Sequence, residues 1–355
     1  MMKKTLVFKV NPKKPEREAI RATANIIKSG GLVAFPTETV YGLGADALNS
    51  KAVLTLFEAK KRPLDNPPIV HVGEIENVHK LVKEVPPKAE LLMRKFWPGP
   101  LTLIFKRSNV VPSVTVAGLD TIAIRMPRHN VALALLKESN CPIAAPSANL
   151  AGKPSPTCAS HVLEDLNGRI DAVLDAGPTH IGVESTVLDL TVDPPQILRP
   201  GGTPYEDLKR ILGRVELHPV AIADREVAIE KARSPGLKHK HYAPNAEVVL
   251  VEGEPSKIVD KVKELVDFYK QEKKKVGVLT TDENFSYYRA DVVKSLGSRK
   301  NLTVIANNLF RLLREFDFEK VDVIVAEGLP LEGLGLAVMN RLRKAAGYKI
   351  FKAEK

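Results

Sequence analysis

Apolar, β-branched runs alternate with amphipathic stretches along nearly the whole chain, and this rhythm narrows the fold more than any other feature. LVFKV (residues 6–10) precedes a helical pattern over Glu16–Lys28, GLVAFP (31–36) precedes one over Ala52–Lys60, and PPIVHV (67–72) follows. Further strand patterns lie at LTLIFK (101–106), TIAIRMP (121–127), PIAAPS (142–147), DAVLDAG (171–177), STVLDL (185–190) and PPQILRPGG (194–202), with helices near Val131–Glu138 and Pro204–Leu212. Strands that alternate with helices predict an α/β fold, because the helix carries the chain back across its sheet.

After Leu212 the pattern thins. Residues 219–245 include SPGLKHKHYAPN, whose Pro, Gly and charged residues suit a connector that also serves as a lid. Beyond it EVVLVEG (247–253), a helix over Ser256–Lys270, KVGVLTT (275–281), a helix over Thr303–Arg314, VDVIVAEG (321–328) and a helix over Ala337–Ala346 repeat the rhythm. The expected organisation is a leading domain over 1–218, a linker over 219–245 and a small open-sheet domain over 246–355. The 355 residues fit two domains of the usual size, roughly 100–150 residues or somewhat more each.

Composition removes several classes. Apolar residues at 44% and charged ones at 27% are globular values, which excludes disordered and collagen-like chains. The 53 Lys and Arg against 42 Asp and Glu give a net +11, a field that attracts anions. Residues 246–355 hold 20 Lys and Arg against 17 Asp and Glu, so most of the excess sits in the leading part. With 5% aromatic residues and one Trp, the chain is poor in platforms for stacking single-stranded bases. Cys141 and Cys158 are too few for a disulfide framework and lack zinc-knuckle spacing, which points to a reducing cytoplasm. The apolar run near the start is cut by Lys9 and Pro12, so it reads as a first strand rather than a signal peptide, and no apolar run is long enough for a membrane span. Two Gln, at 196 and 271, with abundant Lys and Glu lean toward a hot habitat.

No phosphate-loop, dinucleotide-fingerprint, zinc-protease or nucleophile-elbow motif occurs. What remains is a set of cations, hydroxyls and amides just after strands, where open α/β sheets bind ligands. PTETVYGLGADAL places Thr37, Glu38 and Thr39 after Pro36, with Gly42 and Gly44 beyond; the plainer reading is a Thr-rich turn. Lys60 and Arg62 sit on a loop stiffened by Pro63, Pro67 and Pro68, with Asn66 and His71 downstream; cations also suit a helix C-terminus. PIAAPSAN runs into Ser147 and Asn149, with Ser155 beyond, and a side-chain-stabilised turn explains these equally. Thr121 and Arg125 bound one strand, Arg199 ends another, and Ser185 and Thr186 start a third. A lone Arg more often meets a surface carboxylate. Lys238–Tyr242 are placed to cover such a pocket, or to keep a linker soluble. Together, loops that supply cations and neutral donors but no nucleophile predict a pocket for phosphate and carboxylate groups. That chemistry is phosphoryl or nucleotidyl transfer.

PTETVYGLG, KKRP, FWPGPLT, IRMP, PSAN, GVESTV and ILRPGG, in this order, resemble the YrdC-like family of threonylcarbamoyl-AMP synthases over roughly the first 210 residues. SPGLKHKHYAP and GLGLAVMNRLRKAA look like the connector and small domain of the family's long form. The resemblance implies a twisted, open, mixed sheet with helices, plus a smaller C-terminal Rossmann-like α/β domain. It implies that L-threonine, bicarbonate and ATP give threonylcarbamoyl-AMP and pyrophosphate, the first step of a tRNA modification that a partner transferase complex finishes. The K-x-R pattern falls on Lys60 and Arg62 and the S-x-N pattern on Ser147 and Asn149, the four implied catalytic residues. ATP contacts fall on Arg62, Asn66, Thr121, Ser147, Ser155, Arg199, His241 and Tyr242. Threonine contacts fall on Thr39, His71, Arg125, Ala145 and Ser185. Mg²⁺ is expected to arrive with ATP, without a tightly bound protein metal site.

Two other readings stay open. A carbamoyltransferase relative keeps the pocket on a carbamoyl-adenylate, although its accessory zinc-binding and acylphosphatase-like segments are not in this sequence. A double-stranded RNA or tRNA binder is suggested by the net +11 and would show steep salt dependence without ATP turnover.

Overall fold

The computed structural model describes residues 4–225 and 242–353. The leading part forms one mixed sheet from β1 (Leu6–Lys9), β2 (Val33–Phe35), β3 (Gly42–Asp46), β4 (Val70–His71), β5 (Leu101–Lys106), β6 (Thr121–Arg125), β7 (Ile143–Ala144), β8 (Ala172–Asp175), β9 (Thr186–Asp189), β10 (Gln196–Arg199) and β11 (Glu216–Leu217). Their order is β1-β8-β2-β3-β7-β4-β6-β5-β9-β10-β11. β2/β3, β3/β7, β4/β7, β5/β6 and β9/β10 pair antiparallel, and the other neighbours run parallel.

The predicted strands and helices of this part are all present, with further elements besides, among them the short strand β11 and the helical turn Val78–Leu81. GLGAD, read as a glycine-bearing loop, is strand β3. A Cβ on Gly44 would lie 2.7 Å from Ile143 Cγ2 and 2.9 Å from Phe35 Cε1, so the strand needs glycine to pass beneath those side chains. The helices Pro87–Phe96 and Ala159–Leu166 also escaped the reading. The first begins with Pro at its first turn, where a missing N–H costs nothing but a sequence scan sees a break.

Residues 247–353 form a second, all-parallel sheet from β12 (Glu247–Gly253), β13 (Val276–Thr280), β14 (Val292–Ser295), β15 (Val323–Glu327) and β16 (Ile350–Ala353), ordered β14-β13-β15-β12-β16. The two strands that were not predicted, β14 and β16, are its edges. Edge strands are only half-covered and carry charge, so VVKS and IFKA lack the continuous apolar run of a central parallel strand.

The two sheets are joined through packed contacts. Val40 and Val183 share one apolar cluster with Tyr242, Ile305, Ala306, Leu309 and Phe310. At Gly182, φ +81°, the two backbones approach too closely for a side chain, since a Cβ there would lie 2.4 Å from Asn307 Cα. Asn307 Nδ2 donates to Thr179 O at 2.7 Å and His180 O at 2.9 Å. Residues 219–222, expected in a connector, form a helical turn instead: Val220 packs on the leading sheet and Ala221 O accepts from Asn340 Nδ2 at 3.0 Å.

Arg314 is a buried cross-link between them, donating to Asp165 Oδ2 at 2.9 Å and Pro154 O at 2.6 Å with its side chain 4% exposed. Removing one partner of a buried pair strands the other charge, at a cost of about 3–5 kcal/mol, whereas exposed pairs contribute less than about 1 kcal/mol. Arg314→Ala is therefore expected to lower unfolding free energy by about 3–5 kcal/mol in urea titrations, and Arg21→Ala, which breaks an exposed 3.8 Å pair with Glu138, by less than about 1 kcal/mol. Equal losses would refute the cross-link.

Candidate active site

A cavity of about 480 Å³ opens over the middle of the leading sheet. It is lined by Thr37, Thr39, Val40, Gly42, Arg62, Ile69, His71, Arg125, Ala145, Pro146, Ser147, Glu184, Ser185, Arg199 and Tyr242. Strand register assembles the wall. His71 on β4 lies opposite Arg125 on parallel β6, and β7 runs antiparallel to β4 and leads into Ala145–Ser147. Ser147 bridges back to Gly42, which fixes the loop after β7 against β3. Thr37 Oγ1 accepts from Thr39 N and Val40 N at 3.1 and 3.3 Å, so the Thr-rich stretch is a side-chain-capped turn and also part of the wall.

Each cation is held by backbone carbonyls or by a carboxylate. Arg62 Nε donates to Asn66 O at 2.8 Å and Nη2 to Pro67 O at 3.2 Å. Burial pushes its guanidinium down to about 10, still charged at neutral pH. Arg199 donates to Ser185 O and Ser185 Oγ, and Ser185 Oγ lies 2.8 Å from Thr102 Oγ1. Arg125 pairs with Glu38 at 2.7 Å and donates to Gly99 O and Thr39 Oγ1 at 3.1 and 3.0 Å. Burial, reinforced by Arg125, drives His71 down to about 3, so its imidazole is neutral at physiological pH.

Nine of the expected residues converge on this wall: Arg62, Ser147, Arg199, Tyr242, Thr39, His71, Arg125, Ala145 and Ser185. Others stand behind it. Lys60 Nζ donates to Ser147 O and Asn149 O, and burial holds its ammonium well below the usual lysine range. Asn149 Nδ2 donates to Leu150 O at 2.7 Å and Lys153 O at 3.0 Å. Ser155 Oγ donates to Glu184 Oε1 at 2.7 Å. Asn66 is buried beside Arg62. Thr121 begins β6, four residues or about 13 Å along the strand from Arg125, and is not part of the wall. His241, with Lys238, His239 and Lys240 of the expected lid, lies outside the described residues.

Three site residues were not picked out from the sequence. Glu184 lines the cavity and its Oε2 accepts from Arg341 Nε at 2.9 Å. Burial would raise its carboxyl, but Arg341 and Arg199 outweigh that and hold it down at about 2. Arg341 also lies over the Tyr242 ring, 5.6 Å from its centroid. Lys344, one turn along, is pushed down to about 7 by burial and by Arg341 and Arg199. Glu184 stands inside GVESTV, and Arg341 and Lys344 inside GLGLAVMNRLRKAA, whose basic run reads equally as a solvated face.

The fold and its wall define an α/β protein with a buried, cation-rich pocket suited to an anionic ligand. A family model described as "Telomere recombination", for Sua5, YciO and YrdC, matches residues 25–201, and one described as "Threonylcarbamoyl-AMP synthase, C-terminal domain" matches 204–347. The threonylcarbamoyl-AMP synthases of Pyrococcus abyssi and Bacillus subtilis are 53% and 50% identical over 95% and 94% of this chain, and 96% and 94% of their own lengths. The crystal structure of P. abyssi Sua5 complexed with L-threonine superposes with a TM-score of 0.94 at 51% identity, over 99% of this chain and 100% of that one. E. coli YciO matches 56% of this chain and 96% of its own, with a TM-score of 0.52 at 25% identity. The chain belongs to the threonylcarbamoyl-AMP synthase family, in the long form that carries both segments.

Because His71 is neutral in the folded chain down to about pH 3 but takes a proton near 6.5 when unfolded, acid favours the unfolded state over that window. Stability contributed by the buried neutral ring is full above pH 6.5 and declines by about 1.4 kcal/mol per unit below it. Denaturant titrations at pH 6.5 and 4.5 are expected to show a smaller drop for His71→Gln than for the native chain, by about 2–3 kcal/mol. Parallel pH profiles would mean that the ring protonates in place.

Proposed function

We propose that the leading cavity is where this chain forms threonylcarbamoyl-AMP from L-threonine, bicarbonate and ATP. The observation that carries the reading is the meeting of Arg62, Arg125 and Arg199 with the hydroxyls of Thr39, Ser147 and Ser185 on one cavity wall. The threonine amine attacks the bicarbonate carbon to give a carbamate with loss of water. A carbamate oxygen then attacks the α-phosphorus, the bond to the bridging oxygen breaks, and pyrophosphate leaves with that electron pair. No protein nucleophile is required, and the rate comes from alignment and from neutralising developing charge.

In this proposal Arg62 and Arg199 hold phosphate oxygens with Tyr242 beside them, while Asn66 and Ser155 act from behind, on Arg62 and Glu184. Ser147 donates to the reacting oxygens. Arg125 takes the threonine carboxylate through its planar fork while Glu38 keeps that fork oriented, and Thr39, His71, Ala145 and Ser185 surround the amino acid. Lys60 and Asn149 act from behind, by holding the loop that presents Ser147.

Among the described residues no group of three or more His, Cys, Asp or Glu gathers as a metal site. Both carboxylates at the cavity, Glu38 and Glu184, are already paired with arginines. Such a wall fits an ion that comes coordinated to the triphosphate and water, and Mg²⁺ held that way would neutralise the leaving pyrophosphate. No helix among the described residues is long and apolar enough to cross a membrane. We place the reaction in the cytoplasm, with the adenylate passed to a tRNA-modifying transferase complex.

A pyrophosphate-release assay tests the reading. Arg62→Ala should lower release at least ~10²-fold, since a charge-assisted phosphate contact made in the transition state is worth about 3 kcal/mol or more. Lys88→Ala, which removes an exposed pair with Asp193, should leave it unchanged. Release must also require both threonine and bicarbonate; full activity with either omitted, or in Arg62→Ala, would refute the assignment.

A further inference from the structure

The second sheet carries a cavity of its own. The helix Pro255–Gln271 packs on one face against Val249, Val251 and Val323, and the helix Leu334–Ala345 packs on the other against Val248, Leu250 and Ile324. These helices follow β12 and β15, which are neighbours in the sheet. The chain thus leaves the carboxyl ends of two adjacent parallel strands toward opposite faces. Between such strands a crevice opens, and that is where open α/β sheets take their ligands.

A cavity of about 780 Å³ fills this crevice. Its apolar wall includes Ile258, Leu329, Leu331 and Met339, and its cations are Arg299 and Arg343. Arg343 is committed to structure, with Nε and Nη2 on Glu252 at 2.7 and 2.9 Å and Nη1 on Ile222 O at 2.7 Å. Arg299 differs. Its Nε donates to Thr281 Oγ1 at 3.2 Å, and its Nη2 to Glu327 Oε2 at 3.0 Å and Gly328 O at 3.2 Å. Glu327 is itself fixed by Asn284 and Tyr288, so the guanidinium is aimed before any ligand arrives. Nη1 has no hydrogen bond among the described residues, which leaves one arm of an oriented cation for an anion.

A bare anion would use Arg299 and leave the apolar wall wet. An apolar molecule would use the wall and ignore the charge. We propose that this crevice is a second ligand site that binds a nucleoside monophosphate, with its phosphate on Arg299 and its base against Ile258, Leu329, Leu331 and Met339. The proposal is independent of the chemistry assigned to the leading cavity.

Hydrogen-exchange mass spectrometry on the full chain locates binding to a segment, so the two cavities are read separately. The probes are AMP, adenosine and inorganic phosphate. AMP is expected to slow exchange in segments 252–262 and 326–333 at concentrations where adenosine and phosphate do not. Arg299→Lys keeps a charge for Glu327 but loses the fork, and should weaken the AMP effect about tenfold. Leu331→Trp, at a position 51% exposed at the mouth, should block it without disturbing the core. Protection confined to the leading sheet, or unchanged in both variants, would overturn the site. Equal protection by adenosine would overturn the role of Arg299, and equal protection by phosphate would overturn the nucleoside.

Discussion

The carboxylate of Glu184 is the point on which both halves of the molecule depend. It accepts from Ser155 of the leading part and from Arg341 of the trailing helix, and it lies on the cavity wall near Arg199. A buried ion pair of this kind adds little net stability compared with apolar residues of the same shape, because two charges must leave water. Its effect is on specificity of docking. Arg341 buried without Glu184 would be an uncompensated charge, so the trailing helix has one seat on the leading sheet that satisfies it. Tyr242 is fixed by the same constraint, stacked on Phe310 at 5.3 Å with Arg341 over its ring. Through Tyr242, the segment that leads into the second sheet is thereby part of the wall, and the second sheet and its helices brace it.

Gathering so many cations in one buried place has an electrostatic cost, visible in how they titrate. Burial lowers Lys60, Arg62, Arg199 and Lys344 together, and each is pushed down further by at least one neighbouring arginine. The Glu184 carboxylate offsets part of this at Arg199 and Lys344. A polyanion entering the cavity would offset more and so favour the charged forms, which links phosphate binding to proton uptake at the most depressed groups. Pre-aimed cations that need not reorganise are also what an adenylating reaction requires when charge develops on a leaving pyrophosphate.

How far the sequence foretold this can be judged residue by residue. The α/β class, the central strands and most helices were legible because burial on both faces of a sheet demands apolar runs, as in TIAIR and VIVAE. Strand β3 was not, since its glycines serve close packing and resemble a loop's. The edge strands β14 and β16 were not, since an edge tolerates Lys. In the site, Arg62 was legible as a cation on a proline-stiffened loop after a helix, and Ser147 and Arg199 as polar groups at strand ends. Glu184 and Arg341 were not, because each has meaning only through the other, 157 residues away in the chain. Pairwise charge matching across two sheets leaves no local pattern.

The same reasoning explains why the two short motifs, K-x-R and S-x-N, work as one device. In each, one member faces the cavity and the other faces away: Arg62 and Ser147 line it, while Lys60 and Asn149 lie behind. Lys60 ends the helix Ser50–Lys60 and its ammonium bridges the carbonyls of Ser147 and Asn149, so the first motif physically holds the second. A compact ammonium with three rotatable donors can satisfy two converging carbonyls, whereas a planar guanidinium presents its donors in a fixed fork. The fork is instead the better shape at position 62, where two donors anchor to Asn66 O and Pro67 O and the charge still reaches the cavity. Exchanging the two residue types would keep the net charge and lose both geometries, which is why the order of Lys and Arg matters more than their number.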